Sequence, residues 1–165
     1  MKKYSTALLV GRFQPPHNGH LFLINKALKI ADKLIIVIGS ANVSQTEDNP
    51  WSYQERLEML EKVIKNEKIT KQILKIIPSN DVPEDEKWQE ELLKNTGKFE
   101  IVVSNNDWVN DILGKAGYPI YRTCLFNREE LEGVKIRKLI KQNQPWQNRV
   151  PPCLLPLLVT NSFNR

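Results

Sequence analysis

Cysteine is scarce in this 165-residue chain. There are two, Cys124 and Cys153, far apart and in no C-x-x-C pattern, which excludes a disulfide framework and a cysteine-built zinc site. No apolar run approaches the roughly 20 residues that a membrane helix needs, so no membrane partner is expected. The opening MKKYSTALLVGRF carries two lysines, but its apolar part is short and then meets Gly-Arg. No signal peptide is expected, and a reducing cytoplasm is the default location. Internal repeats and low-complexity linkers are also lacking.

What is present fits one folded domain. Hydrophobic residues make up 41% and charged residues 26% of the chain, ordinary for a globular protein of a size that buries a core unaided. The net charge of +5 comes from lysines scattered over helical segments, such as Lys62, Lys65, Lys68, Lys71 and Lys75. That pattern reads as a solvated surface, not a nucleic-acid face, and it suits an anionic small substrate.

Strand and helix patterns alternate. Residues 6–10 (TALLV), 34–38 (LIIVI), 73–77, 101–103 and 119–122 read as five strands. Between them, Leu21, Ile24, Leu28 and Ala31 recur at helical spacing, with Asn18 as N-cap. Ser52-Tyr53-Gln54-Glu55 is a capping box for a helix reaching Asn66. Pro83 opens a helix that ends before Gly97, residues 106–113 form a short helix closed by Gly114, and a last helix covers residues 134–141. The expected fold is α/β: a Rossmann-like, five-stranded parallel sheet with helices on both faces. Residues 1–150 form the domain. Residues 151–165, with the proline-broken apolar run PPCLLPLLV, form a tail of different character that should not extend a helix well.

In such sheets ligands bind beyond the carboxyl ends of the strands. The loop after the first strand reads Gly11-Arg12-Phe13-Gln14-Pro15-Pro16-His17-Asn18-Gly19-His20 and holds both histidines of the chain. A helix N-terminus offers free N–H groups to an anion, Arg12 adds a fixed cation, and Gly19 allows close approach. Together these describe a phosphate site. The loop matches neither the Walker pattern nor G-x-G-x-x-G. Two histidines without a nearby carboxylate or cysteine make a poor metal site, and no protein metal ligands are assigned.

GRFQPPHNGH resembles the G-R-F-Q-P-F-H-x-G-H signature of the H-x-G-H nucleotidyltransferase superfamily, and more narrowly that of the archaeal-type nicotinamide-nucleotide adenylyltransferases. GSANVSQTEDNPWSYQERLEML, IPSNDVPEDEKW, VVSNNDWV and FNREELEGVKIRKLI resemble further segments of that family in the same order. The resemblance spans about residues 5–150. It implies that ATP and nicotinamide mononucleotide give NAD and pyrophosphate by direct attack on the α-phosphate. His17, His20 and Arg137 would be catalytic. Gly11, Arg12, Phe13, Gln14, Gly19, Gly133 and Ile136 would contact ATP. Asp81 and Trp88 would hold the mononucleotide, the indole stacking on the nicotinamide ring, with Ser40, Asn42 and Asn106 as further contacts. Mg²⁺ would be held mainly by the ATP phosphates, and a homo-oligomer is expected by family analogy. The alternatives are an H-x-G-H adenylyl- or cytidylyltransferase with another phosphorylated acceptor, and a degenerate nucleotide-binding module.

Four departures stand out. Pro16 replaces a phenylalanine, and Gln45 a histidine. Asn105 stands for a glycine, which raises the question of a glycine-only backbone there. Glu132-Gly133-Val134 stands for Ser-Gly-Thr, removing two hydroxyls and adding a carboxylate next to anionic ligand.

Overall fold

The computed structural model describes residues 2–123 and 132–162. Cys124 and residues 126–131 of the last signature lie outside the described residues. Five parallel strands, β1 (Tyr4–Gly11), β2 (Ala31–Ile38), β3 (Ile73–Pro78), β4 (Ile101–Val103) and β5 (Ile120–Tyr121), form one sheet in the order β3-β2-β1-β4-β5. The helices are α1 (Asn18–Ile30), α2 (Tyr53–Asn66), α3 (Asp85–Thr96), α4 (Asp107–Lys115), α5 (Gly133–Lys141) and α6 (Leu155–Ser162).

The two-residue period of β1 sorts its side chains between two cores. Ala7 and Leu9 pack with Ile24, Ala27 and Leu28 of α1 and with Leu60 and Ile64 of α2. Leu8 packs on the other face with Ile35, Val37, Trp88 and Leu92 of α3, and Val109 and Leu113 of α4. Helices thus cover both faces, which is why the strands read as unbroken apolar runs. The chain leaves β1 toward β2 and β3, then returns to β4 on the other side. The gap between the ends of β1 and β4 is therefore the topological switch point, where such sheets bind ligands.

Several local readings change. His17, not Asn18, caps α1; the Asn18 amide instead donates to the Asn148 carbonyl at 2.9 Å. Ala31 belongs to β2, because α1 stops at Ile30. Helix α3 starts two residues after Pro83, where Asp85 and Glu86 occupy a first turn whose partial positive charge favours them. Helix α4 continues through Gly114 to Lys115, braced by the Lys115–Asp111 pair, and the left-handed residue behind it is Gly117 at φ +89°. Asn105 is not among the described residues with positive φ, so no glycine-only conformation is required there.

The tail does form helix. Pro152 sits in a 3-10 turn (Pro152–Leu154), and Pro156 falls in the first turn of α6, where a missing N–H costs nothing. Leu154 and Leu158, four residues apart, are fully buried against Trp51, Met59, Val63 and Ile136. Burying each contributes roughly 1.5–3 kcal/mol.

Candidate active site

The loop after β1 is built around Phe13. Its backbone lies at φ +54° and its ring is completely buried. That ring lies over Gly11, where a Cβ would come within 3.1 Å of it. The ring then meets His20 (centroids 4.4 Å apart), and His20 meets His17 (3.7 Å). Gln14 is buried too. Its side-chain amide donates to the Trp51 carbonyl at 2.8 Å and accepts from the Trp51 N–H at 3.1 Å. Gln14 thus ties this loop to the segment leading into α2, and it is its backbone carbonyl that faces Arg137.

The two histidines cap α1 reciprocally. His17 Nδ1 accepts the Gly19 N–H at 3.1 Å, and His20 Nδ1 accepts the His17 N–H at 3.2 Å. An Nδ1 that accepts carries no proton, so each neutral ring holds its hydrogen on Nε2. Burial favours the same state. It pulls the His17 pKa down to about 4, and burial followed by the neighbouring His17 holds His20 well below the ordinary histidine value. The pair is a set of neutral, directed N–H donors and not a pair of cations.

Positive charge comes from arginines. Arg56 is fully buried, on the otherwise apolar face of α2 that carries Met59, Leu60, Val63 and Ile64. Its Nη1 donates to the carbonyls of Arg12 (2.6 Å) and Gly39 (2.7 Å), its Nη2 to Ser40 (3.0 Å), and its Nε to Ser52 (3.2 Å). One guanidinium so fixes the loops after β1 and β2. Burial first, then the charge of Arg12, lowers its pKa to about 10, leaving it charged at neutral pH. Arg137 on α5 donates from Nη1 to the Gln14 carbonyl at 2.9 Å and from Nη2 to Asp48 Oδ1 at 3.2 Å. Burial and Arg12 lower its pKa as well. Arg12 itself is exposed and lies within electrostatic reach of both. Gly133, the first residue of α5, lets the helix end approach: a Cβ there would sit 3.1 Å from the Gln14 carbonyl and 3.2 Å from Arg137 Nη1.

These groups surround an open cavity of about 560 Å³ at the switch point. Residues 10–14, His17, His20 and Leu23 line one side; Ser104, Asn105, Asn106 and Asp107 line the end of β4; Glu132, Gly133, Val134 and Arg137 line the N-terminus of α5. Asn106 caps α4 through Oδ1 (Val109 N–H, 3.2 Å), and Asn105 exchanges hydrogen bonds with Thr123. Ile136 is fully buried beneath, in the core shared with Trp51.

The remaining predicted contacts gather at the ends of β2 and β3. Ser40 Oγ donates to Asp81 Oδ1 at 3.0 Å, and the Asn42 side chain bonds the Asp81 backbone in both directions, at 3.2 and 2.8 Å. Trp88 is next to them, its indole N–H donating to Ser79 Oγ at 2.9 Å, but only 4% of it is exposed. It is packed in the sheet core, with Trp108 against it at 4.4 Å.

Residues 8–149 match the model of the cytidylyltransferase-like family. The nicotinamide-nucleotide adenylyltransferase of Thermoplasma acidophilum is 37% identical over 150 residues, covering 91% of this chain and 83% of its own. That of Saccharolobus solfataricus is 38% identical over 147 residues, covering 89% and 86%. The chain belongs to the cytidylyltransferase-like family, among the nicotinamide-nucleotide adenylyltransferases. Solved structures agree on the adenylyltransferase fold. A bifunctional NMN adenylyltransferase/ADP ribose pyrophosphatase from Francisella tularensis superposes with a TM-score of 0.84 at 24% identity, over 95% of this chain and 49% of that one. This chain therefore spans about half the length of that bifunctional protein, and the likeness is one of fold. A second structure of that enzyme holds AMP and a manganese ion. No helix among the described residues of this adenylyltransferase is long and apolar enough to cross a membrane.

Sequence reasoning missed Arg56, Asp48 and Trp108. Arg56 carried a readable signal: a charged residue in the apolar stripe of an amphipathic helix. Asp48 and Trp108 carried none, since their partners lie far off along the chain.

Proposed function

We propose that this protein joins the phosphate of nicotinamide mononucleotide to the α-phosphorus of ATP, giving NAD and pyrophosphate. The observation that carries the reading is the pairing of two neutral, Nε2-protonated histidines with Arg137 around one cavity at the switch point. A phosphate oxygen of the mononucleotide attacks the α-phosphorus in line, and the bond to the β-phosphate oxygen breaks. No protein nucleophile takes part. The residues supply position and charge stabilisation.

His20 donates its Nε2–H to the α-phosphate, where charge develops, and His17 donates beside it. The N-terminus of α1 adds its partial positive charge. Arg137, released from Asp48, holds the β- and γ-phosphates that leave as pyrophosphate, with Arg12 alongside. Gly11 and Gly133 keep the β1 loop and α5 close. Removing one directed donor from such a site costs on the order of 10²–10³ in turnover. Asp81, Ser40 and Asn42 orient the acceptor's ribose and amide.

Among the described residues no three His, Cys, Asp or Glu side chains cluster as metal ligands. Of the two carboxylates that line the cavity, Asp107 is paired with Arg122 at 2.7 Å and Glu132 with Lys135 at 3.8 Å. In this reading Mg²⁺ enters as part of the substrate, complexed by the ATP phosphates, whose charge it offsets. A cytoplasmic setting, rich in MgATP, suits this reading. Incubation with ATP, Mg²⁺ and nicotinamide mononucleotide should produce NAD and pyrophosphate in equal amounts. Consumption of ATP without NAD, or with another phosphorylated acceptor alone, would reject the assignment.

A further inference from the structure

Helix α5, which carries Arg137, enters neither of the cores that flank the sheet. Among the described residues its apolar side chains, Ile136, Leu139 and Ile140, pack only in a third core. Trp51, Met59 and Val63 form one part of that core, Trp146 and Val150 another, and Leu154 and Leu158 of the tail close it. Ile136, Leu154 and Leu158 are completely buried. The bond that fixes Arg137 is anchored in this core from both ends. Ile136 directly precedes Arg137. Gln14, whose carbonyl accepts Arg137 Nη1 at 2.9 Å, is clasped through its side-chain amide by the Trp51 backbone at 2.8 and 3.1 Å. A further tie runs from the segment leading into the tail: the Asn148 carbonyl accepts the amide of Asn18, which lies between His17 and His20.

We infer that the tail is part of the phosphate-binding apparatus: Leu154 and Leu158 are positioning residues that hold Ile136 and Trp51 in one packed unit, and so set where Arg137 stands relative to Gln14 and the histidines. This rests on the role given to Arg137 above. Removing atoms from a densely packed core leaves a void that its neighbours close only in part. In this core Ile136 and Trp51 are attached to opposite partners of one hydrogen bond, so a void lets the two partners shift apart. Ser40, Asn42 and Asp81 stand outside this core. A leucine buried for stability alone has no reason to act on ATP and spare the mononucleotide.

The test is a double-mutant cycle between Leu158→Ala and Arg137→Ala, read by the calorimetric Kd for MgATP at a temperature where every variant is folded. Steady-state NAD formation gives KM for the mononucleotide. Leu158→Ala should weaken MgATP binding about five- to tenfold and leave KM for the mononucleotide within twofold. Leu158→Met, close in volume, should restore MgATP binding to within about twofold of the wild type. In the Arg137→Ala background, Leu158→Ala should change MgATP binding by less than twofold, because the group it positions is gone. Ile64→Ala, which opens a void beside Leu9 and Leu60 in the sheet core, should lower Tm without weakening MgATP. Should Leu158→Ala fail to fold, Leu158→Val takes its place in the same cycle. Wild-type MgATP binding in the shortened variant, an equal rise for both substrates, or a full loss repeated in the Arg137→Ala background would overturn the inference. If the wild type makes no NAD, the reaction is wrong. The MgATP cycle then still judges the tail on its own.

Discussion

Replacing Arg56 by methionine keeps the length and apolar stem of the side chain and removes only its donors. In the native protein those donors reach four backbone carbonyls between 2.6 and 3.2 Å. Two of the four have a second partner: Ser40 accepts the Val43 N–H and Ser52 accepts the Arg56 N–H. The carbonyls of Arg12 and Gly39 lose the donor that joins them. A buried polar group left unsatisfied costs about 1–3 kcal/mol, so Arg56→Met should destabilise by about 2–6 kcal/mol. That is a large part of the roughly 5–15 kcal/mol typical of a domain. Taking about 4 kcal/mol, and the roughly 2–4 °C per kcal/mol of a chain this size, Tm should fall by about 8–16 °C.

Urea unfolding and thermal scans measure the loss, and a steady-state assay measures its effect on the site. With the β1 and β2 loops no longer fixed to each other, kcat/KM should fall by about 10²-fold, as when reacting groups are misplaced by about an ångström. Arg56→Lys should be nearly as damaging, because one ammonium cannot span carbonyls on separate loops. If both variants unfold within 1 kcal/mol of the wild type, the guanidinium is not what joins these loops.

Three further outcomes are expected. His17→Asn retains an acceptor for the Gly19 N–H but has nothing at the Nε2 position, so Tm should hold within a few degrees while turnover drops about 10²-fold; equal loss of both would mean that His17 only caps. Because both histidines have lowered native pKa values, the folded protein binds fewer protons than the unfolded chain between their ordinary value and the native one. Stability should therefore be full above about pH 7 and decline as pH falls from about 6.5 toward 4, by up to ~1.4 kcal/mol per pH unit for each histidine. Urea midpoints at several pH values, compared between wild type and His17→Asn, check the slope, which should be shallower in the variant. Gly133→Ala places a methyl group 3.1 Å from the Gln14 carbonyl and should raise KM for ATP about tenfold, whereas Asp48→Ala should lower it two- to fivefold by freeing Arg137. An Asp48→Ala enzyme with weaker ATP binding would show that the carboxylate assists instead of competing.

What the sequence made legible depended on how far apart the interacting residues lie. The Ser52–Glu55 box is a four-residue pattern, and both of its hydrogen bonds are present. The strands were legible because each is buried on both faces, which leaves an apolar run whatever the partners. The α1 cap was not, because histidine is an uncommon N-cap and its role depends on a second histidine whose Nδ1 returns the bond. Helix α6 was obscured by its prolines, which break a helix only beyond the first turn. The Asp48–Arg137 pair spans 89 positions and the Gln14–Trp51 pairing 37, and no local pattern marks either. Trp88 shows the reverse difficulty. Its sequence context marks a substrate contact, and only packing reveals that Trp108 occupies the accessible side.

The neutral state of the histidines follows from their burial and from the bonds at their Nδ1 atoms. Burial first, and Arg12 after it, lowers the pKa of both Arg56 and Arg137, and an imidazolium beside them would be one more charge in a poorly solvated place. The fold avoids that cost by giving each Nδ1 a backbone N–H to accept, which forbids a proton there and aims Nε2–H along a fixed direction. A cation attracts an anion from every side and stabilises bound ATP as well as the transition state. A fixed N–H donor rewards one oxygen position, and it strengthens as negative charge moves onto that oxygen. Guanidinium at the departing phosphates and neutral imidazole at the reacting phosphorus therefore divide the work between holding the triphosphate and accelerating its cleavage. The arrangement predicts opposite kinetic signatures. Loss of Arg137 should appear chiefly in KM for ATP, and loss of His20 in kcat; an Arg137→Ala enzyme that kept its KM and lost only kcat would show that the division is drawn in the wrong place.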